Sequence, residues 1–315
     1  MTGSATVRTL VCAGEFYTDL IFFDLDGLPR LGEETKTESF AIAVGGGAAI
    51  TASAAARLGR SCELVTVWGD SMLDAVARRR LKDIGVSCSR SKLLADATPG
   101  VTAAVSTRED RYFLTHPGAN RFVEEFLLDS DALGHLASAG HVHFALTPTR
   151  WEPFRERVRQ LRSDGVTVSW DLGWNPAAGR SRGFLGLCRE LDVLFLNEKE
   201  ACKYAGVAAT GQALAHFAHA ENTVVIKRGG SGATASEQAA APVRVAAIEV
   251  EAIDSTGAGD AFNGGFLHAW MEAKTVEECL QAGNICGGLS TRSPGGIQSL
   301  PSRAEFERRL SRLAG

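Results

Sequence analysis

The 315-residue sequence lacks the features that mark membrane-spanning, secreted and nucleic-acid-binding proteins. It contains no apolar run long enough for a membrane-spanning helix, and its first residues lack the long apolar core of a secretory signal. The net charge is −4, so no basic excess indicates nucleic acid or an anionic membrane as a partner. The sequence therefore predicts a cytoplasmic protein with neither nucleic acid nor membrane among its partners.

Several cysteine and nucleotide motifs are also missing. The seven cysteines are odd in number and form no C-x-x-C pair, which favours reduced thiols over a disulfide framework or a zinc site. No G-x-x-x-x-G-K-S/T phosphate loop and no H-R-D set of a protein kinase occurs. A nicotinamide-dependent oxidoreductase is disfavoured too, because residues 12–15 read C-A-G-E where a G-x-G-x-x-G fingerprint would begin.

What is present is an alternation of apolar strand-like runs with amphipathic helices. Such an alternation predicts a mostly parallel sheet covered by helices on both faces. The strands are predicted at 7–13, 62–68, 142–146, 166–170, 193–196 and 223–226. Two segments interrupt the pattern: 15–40, and 97–118 with its hairpin around a polar turn at 108–110.

The segment 252–270, AIDSTGAGDAFNGGFLHAW, predicts a helix that begins with three small residues, Gly257, Ala258 and Gly259. Ser255 or Thr256 would cap this helix. Its free amides form an anion hole, and Asp260 in the first turn would stay ionised and accept a proton from a hydroxyl group. Phosphoryl transfer to an alcohol requires such a pair, although the spacing alone fits a closely packed glycine-rich helix start equally well.

Residues 254–262, D-S-T-G-A-G-D-A-F, resemble the second signature of the ribokinase-like (PfkB) family of carbohydrate kinases, D-T-x-G-A-G-D. Residues 45–59 resemble the first signature, G-G-x-x-x-N before a helix that ends in R-L-G. The family asparagine, a ligand of sugar hydroxyls, falls on Ile50. The resemblance implies an α/β, ribokinase-like fold with a core of 1–14, 41–96 and 119–315 and a small β-sheet lid of 15–40 and 97–118.

The resemblance also implies ATP-dependent phosphorylation of a hydroxyl group of a small sugar or sugar acid. Asp260 would be the general base, and Gly257, Ala258 and Gly259 the anion hole. The nucleotide would be bound by Asn197, Glu200, Lys227, Gly229, Gly232 and Asn284. Glu200 would hold Mg²⁺ through water, Asp254 and Thr256 a monovalent cation, usually potassium, and Asp19, Gly45 and Gly46 the substrate.

Several alternatives stay open at this point. The pair Asn197 and Glu200 also fits an ordinary capped helix start. Ile50 disfavours a strict ribokinase, so a fructokinase, a 2-keto-3-deoxygluconate kinase, a nucleoside kinase and a non-catalytic sugar- or nucleotide-binding regulator remain. We expect a homodimer that forms through the lid, whose apolar face would carry Phe22, Phe40, Ile42, Val101 and Phe113.

Overall fold

The computed structural model describes residues 8–28, 30–107, 111–175 and 178–313. Its strands are β1 (Leu10–Gly14), β2 (Tyr17–Leu25), β3 (Phe40–Gly45), β4 (Cys62–Val65), β5 (Val67–Gly69), β6 (Val86–Ser87), β7 (Lys92–Leu94), β8 (Val101–Thr107), β9 (Arg111–His116), β10 (His141–Ala145), β11 (Thr167–Asp171), β12 (Val193–Asn197), β13 (Thr223–Lys227), β14 (Ala233–Glu237) and β15 (Val243–Val245). Its helices are α1 (Gly47–Arg57), α2 (Met72–Ile84), α3 (Val123–Leu128), α4 (Ser130–Ala137), α5 (Trp151–Ser163), α6 (Arg182–Glu190), α7 (Glu198–Ala205), α8 (Thr210–Phe217), α9 (Ala258–Trp270), α10 (Val276–Ser290) and α11 (Arg303–Leu313).

Nine strands form a central sheet in the order β15-β14-β13-β12-β11-β10-β1-β4-β6. The strands from β13 to β6 pair in parallel, and β14 and β15 extend the β13 edge antiparallel. Each face of the sheet is buried under helices, because alternate residues of one strand enter different cores: Leu10 and Cys12 pack on one face, and Val11 and Ala13 on the other. The predicted α/β architecture is therefore confirmed.

A second sheet of four strands lies apart from the first, in the order β3-β2-β8-β9. The hairpin predicted within 97–118 is present as β8 and β9, while its turn at 108–110 lies outside the described residues. Strand β3 also joins this sheet, by pairing antiparallel with β2 from Phe22–Phe40 to Tyr17–Gly45. The small sheet thus extends to Gly45, beyond the lid boundary expected at residue 40.

The register of the small sheet corrects the apolar face expected for the lid. Phe22 of β2 lies opposite Phe40 of β3 and opposite Val105 of β8, so these three side chains are on the same face of the sheet. Phe113 pairs with Ala104 instead, and successive strand residues point to opposite faces. Phe113 therefore lies on the face opposite Phe22 and Phe40. Register could not be read from the sequence, because both strands of the hairpin contain apolar residues at adjacent positions.

Helix α5 begins at Trp151 with Pro153 in its first turn, where proline is tolerated. In the described part of the chain, no helix is long and apolar enough to cross a membrane.

Candidate active site

Helix α9 begins at a left-handed residue rather than at a side-chain cap. Gly257 occupies the N-cap position with φ 71°, and it makes no side-chain capping bond. The predicted cap by Thr256 does not form, because the Thr256 backbone N–H and Oγ1 both donate to Asp254 Oδ1, at 2.9 and 2.7 Å. Asp254 Oδ2 in turn accepts from the Gly295 amide at 2.9 Å. Asp254 therefore holds the turn before α9, in which the Ala258 amide donates to the Ser255 carbonyl oxygen at 3.3 Å.

Asp260 projects from this first turn toward the start of helix α1. A Cβ added to Gly47 would lie 2.9 Å from Asp260 Oδ1, so a side chain at position 47 would displace the Asp260 carboxyl group. Burial raises the pKa of Asp260 to about 7, the charges of Asp171 and Glu200 raise it as well, and Lys227 opposes them. The sequence predicted that Asp260 would stay ionised; the raised pKa instead places its proton exchange near neutral pH, which suits a general base.

A buried ion pair that the sequence did not indicate lies beside Asp260. Lys227 Nζ is 2.5 Å from Asp171 Oδ2, and Asn263 Nδ2 donates to the same oxygen at 2.7 Å. Lys227 was predicted only as a nucleotide ligand, and Asp171 and Asn263 were not predicted as site residues. The one available signal was the position of Asp171 at the end of a strand, since ligands bind at that edge of open α/β sheets.

A cavity of about 590 Å³ opens at this edge of the sheet, a volume in the usual range for small-molecule sites. Most of the predicted nucleotide and catalytic residues line it: Asn197, Glu200, Lys227, Gly229, Gly232, Ala258, Gly259, Asp260 and Asn284. Its apolar part contains Ile248, Val250 and Phe262. Asn284 also donates to the carbonyl oxygens of Val245 and Ala246, at 3.2 and 2.9 Å, which fixes the chain after β15.

Asn197 and Glu200 form a reciprocal capping box at the start of α7. Asn197 Oδ1 accepts from the Glu200 amide at 2.8 Å, and Glu200 Oε2 accepts from the Asn197 amide at 2.9 Å. The capped helix start is therefore present, and the same two residues also line the cavity. Burial raises the pKa of Glu200, and the charge of Asp171 raises it further.

The residues predicted to bind the substrate lie on the lid side of the site. A Cβ at Gly45 would lie 2.3 Å from both carboxylate oxygens of Asp19, and one at Gly46, where φ is +88°, would lie 2.5 Å from the Glu15 carbonyl oxygen. Burial raises the pKa of Asp19 to about 7, with added repulsion from Asp254 and Asp260. The structure thus brings Asp19 close to the acids of the second signature.

Ile50 packs behind the turn that starts α9. Its side chain is 2% exposed, and its Cδ1 lies 2.6 and 2.5 Å from where Cβ atoms would stand on Gly257 and Gly296. An apolar side chain here stabilises two glycine segments against each other. It offers no hydrogen bond to a sugar.

The donor set of the cavity fits a nucleotide with Mg²⁺. Carboxylate and amide oxygens are the ligands that this cation prefers, and both are present in Glu200 and Asn197. Gly229 and Gly230 have no atom within 4 Å of where their Cβ atoms would stand. This loop therefore leaves space for phosphate groups against its backbone.

Comparison with known proteins agrees with this geometry. Residues 7–303 match the family described as pfkB family carbohydrate kinase. An ATP-dependent ribose-1-phosphate kinase of Halopiger xanaduensis is 29% identical over 88% of this chain and 90% of its own length. A ribokinase of Haemophilus influenzae is 26% identical (95% and 97% covered), and a nucleoside kinase of Methanothermobacter thermautotrophicus is 27% identical (96% of each).

Solved structures share the fold over nearly the whole chain. Arabidopsis thaliana ribokinase in complex with ribose and ATP superposes with a TM-score of 0.84 at 24% identity, covering 97% of this chain and 99% of that one. An E. coli chain with a TM-score of 0.80 and 21% identity, covering 97% and 99%, contains ATP and Mg²⁺. The chain therefore belongs to the pfkB family of carbohydrate kinases, phosphotransferases with an alcohol group as acceptor, and has the ribokinase-like fold.

Proposed function

We propose that this protein transfers the γ-phosphoryl group of ATP to a hydroxyl group of a small sugar-like substrate, with Asp260 as the general base. One observation carries this proposal: a carboxyl group whose pKa is raised to about 7 projects into the cavity from the first turn of a helix whose N-cap is the left-handed Gly257. A base with a pKa near the working pH is the most effective one. The amides of Gly257, Ala258 and Gly259 would stabilise the charge on the transferred group.

In the proposed reaction, the substrate oxygen forms a bond to the γ-phosphorus while the bond from that phosphorus to the β-phosphate oxygen breaks. Asp260 accepts the proton of the attacking hydroxyl group, and ADP leaves. Asn197 and Glu200 would hold Mg²⁺, partly through water, and that cation would neutralise phosphate charge. Gly229 and Gly232 would contact phosphates, and Asn284 would lie near the adenine.

The substrate side supports a polyhydroxylated molecule. Asp19 is buried and ends next to Gly45, so its carboxyl group would accept hydrogen bonds from two adjacent hydroxyl groups. Ile50 removes the polar partner that the family signature supplies, which disfavours a strict ribokinase. We therefore propose a sugar, or a sugar acid, whose edge near Gly257 lacks a hydroxyl group.

A nucleoside kinase is the second candidate. The nucleoside kinase of Methanothermobacter thermautotrophicus is 27% identical over 96% of this chain, and the absence of a hydrogen-bonding group at Ile50 suits a substrate with a less polar edge. The non-catalytic regulator is less well supported, because such a protein would be expected to have lost the general base, whereas Asp260 is present and lines the cavity.

A panel of sugars, sugar acids and nucleosides, assayed with ATP and Mg²⁺ for ADP release, tests the proposal. We expect turnover with at least one class, and a kcat about 10²- to 10⁴-fold lower with the Asp260→Asn variant on the same substrate. Turnover with nucleosides alone would select the second candidate. Absence of turnover on every class, together with tight nucleotide binding, would favour the regulator.

Three further features belong to the same proposal. Asp254 and Thr256 are proposed to order their turn around a monovalent cation, usually potassium in the family. The lid is proposed to join two copies of the chain into a homodimer. A cytoplasmic location is proposed because the seven cysteines are all free thiols, as expected in a reducing compartment.

A further inference from the structure

The charge inside the cavity is strongly one-sided. Among the described residues that line it, Asp171, Glu200 and Asp260 are acidic and Lys227 alone is basic. A nucleotide brings several more negative charges into the same space. Whether the positive charge of Lys227 compensates the carboxylates of the site or binds the polyphosphate therefore depends on its position and its hydrogen bonds.

Lys227 is fully engaged by the protein. Its ammonium group is 2.5 Å from Asp171 Oδ2, 3.2 Å from Asn263 Oδ1 and 3.3 Å from the Gly259 carbonyl oxygen. A lysine ammonium group has three N–H donors, and here three acceptors use them. A phosphate oxygen could bind Lys227 only by displacing one of these partners.

The three bonds connect separate elements. Asp171 ends β11, Lys227 ends β13, and both Gly259 and Asn263 belong to α9. Asn263 is 0% exposed and also donates to Asp171, at 2.7 Å, so the arrangement closes on itself. The bond to the Gly259 carbonyl group restrains the same turn whose amides form the proposed anion hole.

We propose that Lys227 is a positioning residue, which holds the first turn of α9 through Gly259 and supplies the positive charge that keeps Asp260 a usable base, and that it is not a phosphate ligand. This inference deepens the proposed function and rests on it for its catalytic consequence. The bonds that carry it are independent of which substrate is phosphorylated.

The charged groups that face Asp260 come from four elements. Asp171 on β11, Glu200 on α7 and Asp19 on β2 are acids, and Lys227 on β13 opposes them. Burial lowers the pKa of Lys227, but Asp171, Asp260 and Glu200 raise it, with a net increase above its usual value. Burial lowers the pKa of the nearby His143 to about 4. Lys227 is therefore charged and His143 neutral throughout the range in which Asp260 titrates.

Opposite substitutions should move the pKa of Asp260 in opposite directions. Lys227→Met removes the charge that opposes these acids in the described part of the chain, and it should raise that pKa by about one unit. Asp171→Asn removes a like charge and should lower it. The carboxyl ¹³C shift of Asp260 against pH, assigned with Asp260→Asn, measures both changes without turnover. If neither variant shifts the titration beyond its error, the electrostatic role of Lys227 is wrong.

Three further variants serve as controls. Lys227→Arg keeps the charge and should retain a pKa near that of the wild type. The double variant Lys227→Met/Asp171→Asn removes both charges together. The pKa of Asp260 in this double variant should lie between the values in the two single variants. The double variant is used in place of Lys227→Met if that single variant does not fold. Arg228→Met removes the adjacent charge, which pairs with Glu198 at 3.1 Å, and should leave the Asp260 titration unchanged.

The affinity for nucleotide distinguishes a positioning role of Lys227 from a direct bond between Lys227 and a phosphate group. If Lys227 only positions α9, Lys227→Met should lower kcat while the Kd for Mg²⁺-ADP changes by less than about threefold. Loss of a direct bond to a charged phosphate should instead weaken that binding by about tenfold or more, and this result would overturn the proposal. Absence of turnover in the wild type would count against the proposed function, whereas an unmoved Asp260 titration would count against the role of Lys227.

Discussion

Two opposing effects set the base strength of Asp260. Burial and the charges of Asp171 and Glu200 favour the protonated form, and Lys227 together with the start of α9 favours the ionised form. The outcome is a pKa of about 7. A carboxyl group in an exposed first turn would have a pKa near 4 and would be a much weaker base.

Replacement of Asp260 by asparagine should abolish phosphotransfer while the protein stays folded. The amide has the same shape, so the close contact with Gly47 is kept, but it cannot accept the proton of the hydroxyl group. We expect a loss in kcat of about 10²- to 10⁴-fold, with an unfolding midpoint no lower than that of the wild type. Activity within about tenfold of the wild type would remove Asp260 from the role of base.

Around neutral pH, kcat should increase with pH. Because Asp260 must be ionised to accept a proton and its pKa is about 7, kcat should fall about tenfold per unit as the pH drops below that value. Measurement at saturating substrate separates this effect from Asp19, whose pKa is also about 7 and which would alter binding. A kcat that stays constant from pH 8 down to pH 5 would contradict a base with this pKa.

At the scale of one element, the sequence predicted helix α9 but not the way it begins. Small residues followed by an apolar 3.6-residue repeat were enough to place the helix and Asp260 in its first turn. The helix begins instead at Gly257, in a turn where Asp254 binds Thr256 and reaches Gly295, 41 residues further along the chain. Partners that are distant in the chain cannot be read from local spacing, and the same reason hid the pairing of Lys227 with Asp171.

Gly257→Ala should lower both stability and kcat. The left-handed φ of 71° disfavours any side chain, at a cost of about 1–2 kcal/mol, and the new Cβ would lie 2.6 Å from Ile50 Cδ1. Adding Ile50→Val removes that atom and should recover the clash contribution but not the backbone strain. Urea unfolding and kcat measure the two effects.

A matched control for this substitution is Gly211→Ala in α8. Gly211 lies in a helix and has no atom within 4 Å of where its Cβ would stand. The change should therefore leave kcat unaltered and stabilise the protein by about 0.5–1 kcal/mol. If Gly257→Ala were tolerated as well as Gly211→Ala, the turn before α9 would not need its left-handed residue.

At the scale of the whole molecule, the sequence predicted both layers and the two segments that leave the central sheet. Continuous apolar runs indicated strands buried on both faces, and glycine and proline marked the interruptions. It did not predict that β3 joins the small sheet, nor which face each lid residue occupies. Strand pairing depends on partners that lie tens of residues away, and a shift of one residue moves every side chain to the other face.

The lid should join two copies of the chain, because one face of its sheet is apolar and partly open. Phe40 is 49% exposed and its ring lies 5.0 Å from that of Phe22, while Leu114 is 65% exposed on the same face. A small sheet with an open apolar face is stabilised when it packs against its copy by two-fold symmetry. We expect light scattering to show a homodimer at micromolar concentration.

A charge on the apolar face of the lid tests this assembly. Phe40→Asp should weaken the dimer by about a hundredfold or more, since it would bury an unpaired charge. It should also raise the KM for the sugar, because Asp19 lies on the adjacent strand β2. Met72→Asp, which places the same charge on an 84% exposed apolar residue of α2, should leave both assembly and KM unchanged. A wild-type protein that is monomeric at that concentration yet fully active would show that the lid only covers the substrate.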